Sequence, residues 1–283
     1  MALAHPPENQ ALRYAVLPFA EMPQIVNPPA GWFVNANNDP AGLTLDNNPL
    51  NQLRPGGGLF YLAYAWDRGF RAGRINDRFR TEFALRSRVS FDAMQSIQAD
   101  VTLRDAEYFA PWIVNALARA HAQGANPVLA ALGADATVSE AVDRIAAWDR
   151  STPTGLTEGW DAGKPAGTSP TIAQIDNSVA ATIYSMWRSR VLGNTIDAVL
   201  GTPIGLPKPD SQSVVNALRH LLDTFDTNGG VGASGINFFN VPGVPDAADR
   251  RDIVLLKSVQ EALAQLASDA FKPAFNNSAS QAD

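Results

Sequence analysis

Two hydrophobic periods divide this chain. Up to about residue 68 the apolar residues come in short runs broken by Pro, Gly and Asn. Leu12–Phe19, Gln24–Asn27 and Gly31–Ala36 have the composition and length of strands. From Gly69 onward the spacing changes to three and four, the period of a helix with one buried face. Ile75, Phe79 and Phe83 fall four apart. Ser90 is placed to cap a second helix carrying Asp92 in its first turn and Phe91, Met94 and Ile97 along its length. Asp105 to Gln123, with Tyr108, Trp112 and Leu117, is a third helix, stopped by Gly124 with Pro127 just beyond. Val138, Val142, Ile145 and Trp148 mark a fourth, with Thr137 as its expected cap and Trp148 expected in the core. Ile172 to Leu200 is the longest run, with Ile175, Val179, Ile183, Met186, Trp187, Val191 and Ile196 as a core stripe. Val214 to Phe225 and Ala248 to Ser268 complete the set, the last with Ile253, Leu256, Val259, Leu263 and Leu266 on one face.

This pattern predicts an α+β, mostly helical fold: short N-terminal strands followed by about seven helices. The division expected is a strand- and loop-rich segment over 1–68 and a helical subdomain over 69–283. Three strands alone leave edges unpaired and a face bare, so they call for more sheet than they make.

The breaks between elements are informative mainly by what they lack. Arg54-Pro55-Gly56-Gly57-Gly58 is glycine-rich, but no Gly-Lys-Ser/Thr follows, so it reads as a surface loop and not a phosphate cradle. Residues 149–171 form a long loop in which Trp160 to Pro165 is expected to face solvent, and 229–245 is a second glycine-rich loop. The polar stretch 1–11 reads as a disordered lead-in or a connector cut out of something longer, and 276–283 reads as frayed. No internal repeat appears.

Composition narrows the function classes. The 283 residues are 46% hydrophobic and 18% charged, with a formal net charge of −6. An acidic chain without a basic stripe is a poor nucleic-acid binder. Zero cysteines exclude disulfides, thiol nucleophiles and zinc–thiolate sites, and three scattered histidines (His5, His121, His220) make a histidine metal site a poor expectation. No apolar run reaches the roughly 18 residues of a membrane span. Met1 to Pro7 has neither a basic head nor an apolar core, so it does not read as a secretion signal.

The candidate chemistry lies in Gly31 to Pro40. An apolar run delivers Asn35, Asn37, Asn38 and Asp39 at its end. A carboxamide on a short side chain can aim an N–H at a developing oxyanion. The same residues also make a plain turn, because Asn and Asp tolerate left-handed dihedrals and bond their own backbone.

The run PQIVNPPAGWFVNANNDP, followed in order by GFRAGRI (Gly69 to Ile75), SFDAMQSIQADV (Ser90 to Val101) and DAEYFAPWIV (Asp105 to Val114), resembles the penicillin acylase (penicillin amidase) family of N-terminal-nucleophile amide hydrolases. The resemblance covers nearly the whole chain and corresponds to the middle part of the family's large chain. It implies a partial N-terminal-nucleophile hydrolase fold, with 1–68 belonging to the catalytic sheet region. It also implies hydrolysis of the acyl amide bond of a β-lactam or acyl-homoserine lactone type substrate. In the family the nucleophile is the first residue of the large chain, usually serine, and its own α-amino group is the base.

Two roles carry over by resemblance. Asn37 matches the oxyanion-hole asparagine, and Arg71 matches an arginine that orders the nucleophile and its amine. Asn35, Asn38 and Asp39 are expected as supporting hydrogen-bond partners. No cofactor is implied. Several family members bind calcium, and Asp46 and Asp67 are oxygen ligands of the right type, but neither lies in a ligand-dense loop and no metal is assigned. Met1 is not a nucleophile, so the chain alone is expected to be inactive and to need the remaining acylase segments, the small chain and the nucleophile-bearing part of the large chain, as partners. A small-molecule amide is the other expected partner, with no nucleic acid and no membrane. The family's precursors are commonly exported, which implies the periplasm. The alternative is a catalytically inert stand-alone helical binding module derived from an acylase.

Overall fold

The computed structural model describes residues 17–40, 42, 51–60, 62, 66–86, 88–153, 170–201, 205 and 211–271. These residues are mostly helical, and the chain divides into two compact units, Met1–Gln98 and Ala99–Asp283. The first helix opens at Phe70, whereas the units part after Gln98.

In the first unit, α1 (Phe70–Leu85) and α2 (Phe91–Gln98) pack together, and Arg78 Nη2 donates to Ser96 Oγ at 2.8 Å. Ser90 caps α2 as its residue type predicts, with Oγ accepting from the Ala93 amide at 3.1 Å. The Phe79 and Phe83 stripe of α1 is covered by the Trp32 indole, stacked at 5.9 and 5.0 Å between centroids. Asn76 fixes that ring by accepting from Trp32 Nε1 at 2.9 Å.

Among the described residues the expected N-terminal strands do not form. Among the described residues there is no sheet, only the isolated bridges Leu53–Leu59, Thr102–Ser151 and Val231–Asn237. Phe19–Glu21 is a single 3-10 turn, and residues 12–16 of the first expected strand lie outside the described residues. At 24–27 and 31–36 the chain runs extended or bent without a ladder. Asn27 and Asn37 adopt φ of 48° and 60°, and Gly31 N closes a turn onto Pro28 O at 2.8 Å, so the extended run is interrupted at both ends. A strand-like alternation of faces is present all the same. Trp32, Val34 and Ala36 turn inward while Phe33, Asn35 and Asn37 are exposed.

The second unit contains α3 (Arg104–Ala120), α4 (Pro127–Ala134), α5 (Ala136–Ala147), α6 (Ile172–Leu192), α7 (Ala198–Gly201), α8 (Ser211–Asp223), α9 (Phe225–Asn228) and α10 (Ala247–Leu266). A π turn, Gly193–Asp197, joins α6 to α7 and lets Asn194 Nδ2 reach Ser258 Oγ and Glu261 Oε2 on α10. Helix α4 was not expected. Pro127 looks like a helix stop, yet it is the first residue of α4, where a proline costs no hydrogen bond, and Asn126 Oδ1 caps the turn from Val128 N at 2.9 Å. Helix α5 is capped by Asp135 and not Thr137, because Thr137 is already helical and its own amide is one of the donors that Asp135 Oδ1 accepts.

Helix α10 was expected to bury one face. Instead Arg251 to Leu256, Ser258, Val259, Ala262 and Leu266 are all buried, since α3, α4, α5 and α6 all pack against it. A helix enclosed on several sides needs buried residues around most of its circumference. Around it, Phe109, Tyr184 and Trp187 are fully buried, Trp187 Nε1 donates to Leu255 O at 3.1 Å, and Trp148 lies in the core as its stripe predicted. Tyr108, by contrast, sits at the rim of α3, with its hydroxyl donating to Asp223 at 2.6 Å. Residues 154–169, including the expected solvent-facing Trp160 to Pro165, fall outside the described residues. Among the described residues no helix is long and apolar enough to cross a membrane.

Candidate active site

The site assembles where the extended run meets the start of α1, within the first unit. Local hydrogen bonds shape the Asn-rich turn first: Asn38 Oδ1 accepts from Ala36 N at 3.0 Å, and Asn35 Oδ1 accepts from Asn37 N at 3.1 Å. These side chain to backbone bonds hold Asn37 in the left-handed region, at φ 60°, which asparagine tolerates better than most residues. Asn35 and Asn38 therefore support Asn37 through the backbone, and the turn is real. Asp39 contributes its carbonyl to Asn38 Nδ2 at 3.3 Å.

Arg71 lies in the first turn of α1, and its Nη2 donates to both Ala36 O and Asn37 Oδ1, each at 2.7 Å. The two residues singled out in the sequence, 34 positions apart, are thus in direct contact. A guanidinium has only donors, so the atom facing it must be Asn37 Oδ1, which turns Nδ2 with both its N–H groups the other way. Asn37 is exposed, and among the described residues Nδ2 donates to none. A fixed carboxamide donor beside a permanent positive charge is suited to receive an oxygen that gains negative charge.

Asp67 completes the cluster. Its amide donates to Asn37 O at 2.7 Å, its Oδ1 accepts from Gly69 N at 3.2 Å, and its Oδ2 pairs with Arg71 Nε at 3.4 Å. The sequence singled out Asp67 only as an oxygen of metal-ligand type. The signal for its actual place is its i,i+4 spacing from Arg71 across a helix start. Asp46 lies outside the described residues. Among the described residues no group of three or more His, Asp or Glu is placed to hold a metal ion. His121 faces the Gly133 carbonyl in the second unit, at 2.8 Å.

A sequence model of the penicillin amidase family matches residues 4–281, all but a few residues at either end. The chain belongs to the penicillin amidase family. A search of curated proteins finds no match to it. At family level this makes the chain an acylase-like amidohydrolase, and the match runs through both compact units.

The second unit also has a groove of about 490 Å³, lined by Thr152, Ser178, Thr182 and Ser185 on one side and Gln265 and Phe271 on the other.

Proposed function

We propose that this chain supplies the oxyanion-binding part of a penicillin-amidase-type hydrolase that cleaves the acyl amide bond of a β-lactam or acyl-homoserine lactone type substrate. The observation that carries the reading is the Asn37–Arg71 contact: the arginine occupies Oδ1 and so commits Nδ2 as a donor. In this reading the nucleophile is an N-terminal serine contributed by a further acylase segment. Its hydroxyl oxygen attacks the amide carbonyl carbon, and its α-amine accepts the hydroxyl proton. The carbonyl oxygen becomes an oxyanion and receives the Asn37 Nδ2–H. The amine then returns the proton to the leaving nitrogen as the C–N bond breaks, and water releases the acyl group from the ester. The extended run over 31–36 would join the sheet of an N-terminal-nucleophile fold. Phe33 at 67% exposure, with Phe19, Ile25 and Val26 also exposed along the same segment, supplies apolar surface that such a sheet would cover.

The test is made on the chain as isolated from its source. Native mass spectrometry identifies the chains that accompany it, and the same preparation is assayed on phenylacetyl and fatty-acyl p-nitroanilides. Hydrolysis is expected to travel with an assembly containing a chain that begins with serine, and Asn37→Ala should lower kcat by about 10²–10³-fold. Hydrolysis indifferent to Asn37→Ala overturns the assignment.

The groove between α6 and α10 favours a second reading, a binding module that performs no hydrolysis. Under that reading the chain arrives alone, turns over neither amide, and any small molecule that comes with it leaves when Ser185→Trp fills the groove.

A further inference from the structure

We propose that Asp67 is a positioning residue that sets the direction of the Asn37 carboxamide, an inference that rests on the oxyanion reading of Asn37. The three residues form a closed ring. Asp67 N donates to Asn37 O at 2.7 Å, Asp67 Oδ2 pairs with Arg71 Nε at 3.4 Å, and Arg71 Nη2 returns to Asn37 Oδ1 at 2.7 Å. Asp67 therefore grips Asn37 twice, directly at its main chain and through Arg71 at its side chain.

The exposures show which partner needs holding. The Arg71 side chain is 59% exposed, whereas that of Asp67 is 14% exposed. An exposed arginine samples many rotamers, and ordering it costs up to about 2 kcal/mol of side-chain entropy. Two of its bonds go to the Asn turn itself, at Ala36 O and Asn37 Oδ1. The Asp67 carboxylate is an anchor outside that loop, fixed by Gly69 N at the start of α1. With Nε 3.4 Å from Asp67 Oδ2, the ion pair biases the guanidinium toward the orientation in which Nη2 meets Ala36 O and Asn37 Oδ1. Without the anchor, Asn37 loses the charge that orders its amide, and Nδ2 no longer has a single orientation.

Asp67→Asn separates this role from helix capping. Asparagine keeps an Oδ1 that can accept from Gly69 N and keeps the backbone donor to Asn37 O, but it presents an uncharged group to Arg71 Nε. The experiment records side-chain NMR of the full chain, with the Asn37 Nδ2H₂ pair and Arg71 Nε–H assigned by loss of signal in Asn37→Ala and Arg71→Lys. In Asp67→Asn the Arg71 Nε–H signal should move toward the shift of a free guanidinium, and the two Asn37 amide protons should move toward the shifts of a free carboxamide. Asp67→Glu should restore part of both signals, and helicity by circular dichroism should match the parent in both variants. In the serine-bearing assembly kcat should fall about 10- to 100-fold with KM unchanged, less than for loss of the whole donor. Unchanged Asn37 and Arg71 signals in a folded Asp67→Asn protein overturn the proposal and leave the hydrolase reading intact. Shifted signals in an assembly whose hydrolysis ignores Asn37→Ala support the clamp and overturn the oxyanion reading.

Discussion

Removing the Arg188 charge should expose how the second unit tolerates a buried carboxylate. Asp105 lies in the first turn of α3 at 3% exposure, and Arg188 of α6 donates from Nη1 to its Oδ2. Breaking a buried pair from one side typically costs about 3–5 kcal/mol, because the remaining charge stays desolvated. Two features lower the figure here. The Arg188 side chain is 28% exposed, so water can follow into the space that it leaves. Leu103 offers no side-chain cap at the start of α3, so the positive end of that helix is available to Asp105, worth about 1 kcal/mol in a partly buried setting. Arg188→Met should therefore cost about 2–3 kcal/mol. For a unit of this size that corresponds to a fall of roughly 4–12 °C in Tm. Guanidinium denaturation followed at 222 nm, on the parent, Arg188→Met, Asp105→Leu and the double variant, gives the coupling directly. The double variant should come within about 1 kcal/mol of the parent, since an apolar pair of similar volume removes the buried charge altogether. A loss under about 0.5 kcal/mol in Arg188→Met, or a double variant no better than the sum of the singles, refutes the reasoning.

Two further outcomes follow from single sites. Thr137 and Gln260, which donate to the Asp135 carboxylate at the α5 cap, help hold it below its ordinary range, so its contribution is present at neutral pH and is lost as pH falls through that lowered value. Asp135→Ala should cost about 1 kcal/mol at pH 7. The gap between parent and variant should narrow below about pH 3.9, and a gap constant down to acid pH contradicts this account. At Gly230 the φ is +82°, and a methyl group would meet Phe239 Cδ2 at 2.5 Å and Phe225 Cε2 at 3.2 Å. Both rings are buried, so Gly230→Ala should lower stability by about 2–4 kcal/mol, with a denaturant midpoint unchanged from the parent as the opposing result.

Features that arise within a few residues of one another were legible in the chain before any fold was known. Helical period marked α1, α2, α3, α5, α6, α8 and α10, because side chains three and four apart share a face whatever lies opposite. Ser90 was legible as a cap for the same reason. The family-bearing run placed Asn37 and Arg71 as the pair to examine. Local rules also misled where two readings of one residue compete: Pro127 stops helices and also starts them, and only the Asn126 cap resolves α4.

Features that depend on which distant surfaces meet came only from packing. The run over 31–36 keeps a strand's alternation yet has no ladder among the described residues, since a strand is completed by a neighbour and not by its own composition. Helix α10 shows an apolar stripe in sequence and in space is buried on all but the face of Lys257, Gln260 and Ala264, because four helices close on it. Asp67 read in sequence only as an oxygen of metal-ligand type outside any ligand-dense loop. It became part of the site only when the start of α1 came against the Asn turn and let one carboxylate hold Arg71 while its backbone held Asn37.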